Sequence, residues 1–478
     1  MKYLQHGLKA LRWLALGLGA VAVLVLAALT AANWRDAPLS EAAQQALVYA
    51  PPTEQALDGN GYLMLMGLDA PAPVQGDATA AAVAMGRQRL AREIERRQWV
   101  DAHGNTTEGM PLSIPFEHSD DKVFPARLRC PASEADCFRW YRSHEAEIQA
   151  LGQANQVLLQ RLAAAANSPQ FKNPAPFYLL AEFPPFSLLV RAHELSLAQA
   201  SLQWEQGQAQ KAMDITRQAA QLRTRLASGS DSLIASMIAL AMQHRELRWL
   251  SDASTDAKRA ALAEASKDIA EQLSTPPEPL QKALEGEKQF TASTLSTLKD
   301  ASLYAMLDEG TAWWQHLLDH GRGLVYLPNE TLNASIDNLQ QLQVISGLPA
   351  HRIEAAFSEA RQQRDETGAC APWKRLRNIA GHCLASRGTS SYQGYVQRVV
   401  DMDGYRRLVL LQHQAAVQRI ARPDMPAWLA QSPPELRHPY TLQPMQWDSA
   451  SSSLVFEGRE NQNQHPDRSS VYRIRLHD

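Results

Sequence analysis

Two histidines four residues apart, His316 and His320, stand in the run Thr311-Ala-Trp-Trp-Gln-His-Leu-Leu-Asp-His-Gly321. On a helix that spacing places both imidazoles on one face, where a single metal ion can take a nitrogen from each. Asp319, between them, would be the base for a metal-bound water, but its carboxylate is one methylene shorter than that of Glu and stops short of such a water. Glu309, the nearest candidate third ligand, lies two turns back, roughly 10 Å along the same helix. A helix C-terminus, where the macrodipole favours His and where Trp313 and Trp314 pack, is the simpler reading. No metal and no other cofactor is therefore assigned.

The order of residues 316–320 resembles the inverted H-x-x-E-H zinc motif, with Asp in the place of Glu. That resemblance implies a membrane-tethered metal-dependent hydrolase using His316 and His320, kept as an alternative. No G-x-S-x-G elbow, H-E-x-x-H pair, Walker glycine loop or G-x-G-x-x-G after a strand occurs. No catalytic residue is assigned. His244 and His413 fall on apolar stripes and read as hydrogen-bonded core residues. Asp120/Asp121 and Asp401/Asp403 read as carboxylates of solvated loops and helix N-termini. Arg87, Arg89, Arg92, Arg96 and Arg97, interleaved with Glu93 and Glu95, read as a solvated helix face. Contact of that cluster with anionic lipid is the other reading.

The four cysteines fall into two local pairs, Cys130/Cys137 with six intervening residues and Cys370/Cys383 with twelve. Neither spacing suits zinc, so both pairs are disulfide candidates in an oxidising compartment. Loops this short would each contribute about 2.5 to 3 kcal/mol in the chain-entropy model.

The compartment follows from the N-terminus. No residue between Trp13 and Trp34 is charged, and the apolar stretch is long enough, at about 30 Å, to cross a bilayer's hydrocarbon layer. Lys2, Lys9 and Arg12 precede it, whereas beyond it Arg35 stands alone until Arg87, which orients the N-terminus inward. A single-pass anchor with the bulk exported is expected; cleavage after Thr30-Ala31-Ala32 is the competing reading. With 47 basic and 50 acidic residues in 478 and a net charge of -3, no nucleic-acid partner is expected.

Helical patterning dominates the rest. Long helices are expected over Ala78–Trp99, Glu145–Ala166 and 256–273, the last preceded by Ser251–Thr255 in N-cap style. Buried stripes are expected at Leu233, Met237, Leu240, His244 and Leu247, and at Leu410, His413, Val417 and Ile420. Ser453–Gly458 and Val471–Leu476 alternate as a short hairpin. The fold class is thus all-α, built mainly of helical hairpins with a solenoid as a further option, plus one transmembrane helix and a small C-terminal β-hairpin. Proline-rich joints divide it into a cytoplasmic tail (1–12), the anchor (13–34), an N-terminal helical region with the Cys130/Cys137 loop (35–176), a helical-hairpin region (177–275), a C-terminal helical region (276–422) and a Pro-rich tail with the hairpin (423–478).

Leu195–Ala219, with Ala200, Trp204, Gly207, Ala212 and Ala219, resembles one tetratricopeptide unit, although no second copy follows. Asn60–Asp69, the Cys130/Cys137 loop and His438–Asp448 together resemble uncharacterised proteobacterial proteins anchored in the inner membrane. That resemblance implies a periplasmic body and no chemistry. In the residues themselves, Tyr62, Leu63, Leu65 and Met66 suit a buried helix, and Tyr440 and Trp447 a packed turn. The expected function is a scaffold or accessory factor that binds an envelope protein, with metal-dependent hydrolysis and lipid or ligand carriage as alternatives. Its expected partners are the inner membrane, through residues 13–34, and an envelope protein.

Overall fold

The computed structural model describes residues 2–73, 76–104, 107–117, 120–131, 134, 136–255, 259–297, 322–367, 375–460 and 470–476. His316, His320 and Cys370 lie outside them, so the proposed metal pair and one cysteine of the second pair have no structural account.

Helix α1 (Lys2–Ala32) contains Leu11–Ala32, 22 residues with a mean hydropathy of 2.5 and long and apolar enough to cross a membrane. The body opens with short helices α2 (Glu41–Leu47), α3 (Glu54–Leu57) and α4 (Gly61–Met66), followed by the long α5 (Ala78–His103). The short α6 (Asp120–Val123) and α7 (Cys137–Ser143) lead into α8 (Glu145–Ala154) and α9 (Gln156–Ala166). Then come α10 (Phe186–Glu205), α11 (Ala209–Gly229), α12 (Leu233–Thr255), α13 (Arg259–Ser274) and α14 (Gln281–Thr297). Helices α15 (Pro328–Ser346), α16 (Ala350–Thr367), the 40-residue α17 (Ile379–Gln418) and α18 (Met425–Ala430) complete the helical part.

The all-α reading holds, with two local differences. The stretch 145–166 is two helices, because the Asn155 side chain donates to the carbonyls of Leu151 (2.9 Å) and Lys122 (3.2 Å) and competes with the helix ladder. Ser251–Thr255 is the last turn of α12 rather than a cap for the next helix: Ser254 and Thr255 donate back to the carbonyls of Leu250 and Ser251, at 2.8 and 3.1 Å.

Strands β1 (Gln446–Asp448), β2 (Ser453–Glu457) and β3 (Val471–Arg475) form an antiparallel sheet in the order β1-β2-β3. Trp447 lies opposite Leu454, and Leu454 opposite Ile474, so the expected hairpin gains a third strand from the Tyr440/Trp447 segment.

Helices α10 and α11 form the expected hairpin. Gly207 sits at φ +77°, and the amides of Gly207 and Gln208 bond the carbonyls of Trp204 (2.9 Å) and Gln203 (2.9 Å), which closes the α10 C-terminus. Ala200 and Ala212 are fully buried, so the two backbones approach closely. Trp204 packs in the same layer against Phe138 and Trp249, with ring centroids 6.0 and 5.7 Å away, and Phe138 and Trp249 lie 5.3 Å apart. This aromatic triangle joins α7, α10 and α12.

Elsewhere α4 crosses α5 at backbone contact. A Cβ at Gly86 would lie 1.9 Å from the Leu63 carbonyl oxygen, so only glycine fits. Tyr62, Leu63, Leu65 and Met66 are all buried, as expected.

The arginines of α5 do not form a solvated face. Arg89, Arg96 and Arg97 are buried, as is Glu93, while Arg87 and Arg92 stay half-exposed. The physical reason lies in the loops, whose carbonyls have no strand or helix partner. Arg89 donates to Met66 O (2.6 Å) and Pro115 O (2.8 Å), Arg96 to Pro111 O (3.1 Å) and Leu180 O (3.0 Å), and Arg97 to Phe177 O (3.0 Å). Guanidinium forks satisfy carbonyls that would otherwise be buried without donors.

Asp401 and Asp403 likewise leave the solvated class, for both lie within α17. Asp401 is fully buried and accepts from Tyr440 Oη (2.7 Å) and from the amides of Arg459 (2.8 Å) and Glu460 (2.9 Å), which fastens the C-terminal segment to the helix. Asp403 pairs with Arg406 and Arg407.

Candidate functional site

Cys130 and Cys137 are joined in a disulfide. Cys383 is also disulfide-bonded, and no free cysteine occurs among the described residues. The Cys130–Cys137 loop forms the lip of an open cavity of about 700 Å³, whose floor and far wall are α10 and α12. That volume is in the range of small-molecule sites. Local sequence explains the loop's position. Arg248 of α12 donates to the carbonyls of Pro131 (2.9 Å) and Glu134 (2.8 Å) and touches Cys130 Sγ at 3.3 Å. Trp140 Nε1 donates to Leu128 O at 3.0 Å, and Phe138 is anchored in the aromatic triangle below.

The walls are of two kinds. Phe124, Leu197, Trp140, Tyr141 and Trp249 supply apolar surface, and burial pushes the Tyr141 hydroxyl up to about 12, so it stays protonated. On one side three guanidiniums converge on a single buried carboxylate, Glu194. Arg129 reaches it at 2.6 Å, Arg191 at 3.1 Å and Arg245 at 2.5 Å. Burial raises the Glu194 carboxyl, but Arg129 and Arg245 more than offset that and hold it below its ordinary value. Of these, Arg129, Arg245 and Glu194 line the cavity, so one negative charge against two positive leaves one in excess at this wall.

Two turns along α12 from Arg245, on the same face, stands Asp252. Its Oδ2 is shielded from solvent with no hydrogen-bond partner, and the Cys137 amide bonds the carboxyl. Burial, opposed by Arg248 and reinforced by Asp136 and Glu134, raises this carboxyl to about 7.

His244 differs from the expectation of a hydrogen-bonded core residue. It faces the cavity and is exposed there, with its ring stacked on Tyr405 of α17 at 5.2 Å. The surrounding protein, then Arg245 and Arg248, hold its imidazole down at about 4, so it is neutral at physiological pH. The other four residues of its stripe are buried or half-buried. His413 matches the expectation: it is buried between the hydroxyls of Ser254 and Ser266, each at 3.3 Å.

Beside the cavity, but sealed from it, Glu246 bonds His193 Nε2 at 3.0 Å and Arg223 Nε at 2.7 Å, all three being buried. This triad ties α10, α11 and α12 together through charge-assisted bonds. Among the described residues, no group of three or more His, Cys, Asp or Glu is placed to hold a metal.

The reading from residue types singled out the Cys130/Cys137 loop and His244 but not Glu194, Arg129, Arg245, Arg248 or Asp252. One signal was present in the sequence. Arg245, Arg248 and Asp252 recur at three and four residues along α12, which places a charged patch on one face. Nothing local marks Glu194 or Arg129 as their neighbours, since that meeting depends on how α10 and the loop pack.

No protein-family model, curated protein or solved structure matches the chain.

Proposed function

We propose that the chain is a membrane-anchored binding protein whose body, on the outer side of the membrane that α1 crosses, takes up a small anion with an apolar body in the cleft beneath the Cys130–Cys137 loop. The observation that carries this reading is the wall where Arg129 and Arg245 share the single carboxylate of Glu194, in a largely apolar cavity of about 700 Å³. The uncompensated guanidinium charge suits a carboxylate or phosphate ester, and arginine forks bind either in bidentate fashion. Aromatic walls suit an alkyl or ring portion. Among the functions expected from sequence, this is ligand carriage rather than a protein scaffold.

The test is calorimetric titration of the full chain, held in lipid nanodiscs, with decanoate and with decanol, which matches it in size but has no charge. Decanoate should bind at least ten times more tightly, and Arg245→Ala should narrow the gap. Equal affinities, or no heat from either compound, would refute the reading.

A further inference from the structure

Helix α1 does not leave the body on a slack tether. Its last carbonyl, Ala32 O, accepts from Arg377 Nη1 at 2.8 Å, and Arg35 O accepts from Arg377 Nη2 at 3.0 Å. Asn33 donates to Leu29 O and Leu376 O, both at 2.9 Å, and accepts from the Asn378 amide at 2.8 Å. Asp36 then accepts from the amides of Asn329 (2.7 Å) and Glu330 (3.1 Å) in the first turn of α15. Asn33 and Asn378 are buried, with Asn378 also accepting from the Leu327 amide at 2.8 Å. A junction so fully bonded moves as one piece with the helix.

The junction also overlaps the apolar stretch. Side chains 11–28 of α1 are exposed, but Leu29, Thr30 and Ala32 are partly covered, and the turn Arg322–Leu324 touches the helix. Part of the body therefore stands level with the last turn of the span, about 5 Å deep along the axis. Around that exit the surface is of the kind a lipid interface accepts. Trp34 is 74% exposed, Leu376, between two arginines, is 47% exposed, and Arg35 is exposed.

We propose that this face of the body is seated in the bilayer surface, with Leu376 inserted next to Trp34 at the boundary of headgroups and acyl chains and Arg35 directed to lipid phosphates. The proposal shares with the proposed function the premise that α1 spans the membrane, and nothing else. Its partner is the lipid surface itself, because the face is continuous with the span. The body then rests on the membrane at a set orientation.

Nitroxide labels at Leu26→Cys and Leu376→Cys, in the full chain in phosphatidylethanolamine/phosphatidylglycerol nanodiscs, report their depth by relaxation with oxygen against a water-soluble nickel chelate. Both labels should favour oxygen several-fold. Oxygen preference at residue 26 with nickel preference at 376 overturns the seating and leaves the span intact. Nickel preference at both positions overturns the seating and the span together. Near-ultraviolet circular dichroism verifies folding. Should the Leu376 variant not fold, a label at Leu324→Cys, on the turn that touches α1, gives the same two readings.

Discussion

Asp252 makes the proposed site responsive to protons, and the size of the response can be worked out. Burial raises its carboxyl to about 7. Near pH 6 it is therefore mostly neutral, and near pH 8 mostly a carboxylate facing the cleft. The groups around it are Arg248 on its own helix, Asp136 and Glu134 on the loop, Tyr141 on α7 and Tyr405 on α17. None of the two tyrosines titrates in this range, since both are raised by burial, and His244, held at about 4, is already neutral. An anion roughly 8 Å from the ionised Asp252, at an effective dielectric of about 20, is repelled by about 2 kcal/mol before screening. At physiological ionic strength the Debye length is about 8 Å, so the repulsion falls to somewhat under 1 kcal/mol. Because about a tenth of the protein still carries a neutral Asp252 at pH 8, decanoate affinity should drop about 3-fold at physiological salt and about 8-fold at low salt from pH 6 to pH 8. In Asp252→Asn the affinity should stay near its pH 6 value throughout. Calorimetric titration at the two pH values, at low and physiological salt, measures this. Equal slopes in the two proteins, or an affinity that rises with pH, would refute the reasoning.

Glu246→Ala strips Arg223 and His193 of their shared partner in a sealed interior and should destabilise the body by about 3 to 5 kcal/mol, read by urea unfolding. Gly86→Ala puts a methyl group into the Leu63 carbonyl and forces α4 from α5; a loss of about 1 to 3 kcal/mol in the same assay is expected, and an unchanged midpoint would contradict the contact. For Asp401, burial lifts the carboxyl from 3.8 to about 6, so the folded state holds the proton more tightly than the unfolded chain. Its contribution is present in full below about pH 4 and is lost as the pH rises through about 6, a change of about 3 kcal/mol. Asp401→Asn should remove that component from the stability profile measured between pH 4 and pH 7.

What the sequence disclosed followed from short-range physics. The apolar run of α1, the Gly207 turn with its small-residue contacts, the buried 61–66 helix and the Cys130/Cys137 pair each depend on residues close together in the chain. Features that depend on distant partners were hidden. Arg89, Arg96 and Arg97 look like any mixed-charge helix surface until the loops at 111–115 and 177–180 bring uncapped carbonyls to them. Asp401 reads as a surface acid until residues 459–460 fold back over it. The cleft is the extreme case, for Arg129, Glu194 and Arg245 are brought together from a loop and two helices.

Helix α17 runs unbroken for 40 residues, about 60 Å, from Ile379, one residue past the Asn33–Asn378 junction, to Gln418. A strut of that length acts as a lever. A rocking of α1 by only 5° would swing the far end through about 5 Å, a distance comparable to one helical pitch. Tyr405, which carries the His244 ring, lies on the outer part of that arm, so a tilt of α1 that carries the body with it would displace the proposed cleft by about 3 Å relative to the bilayer.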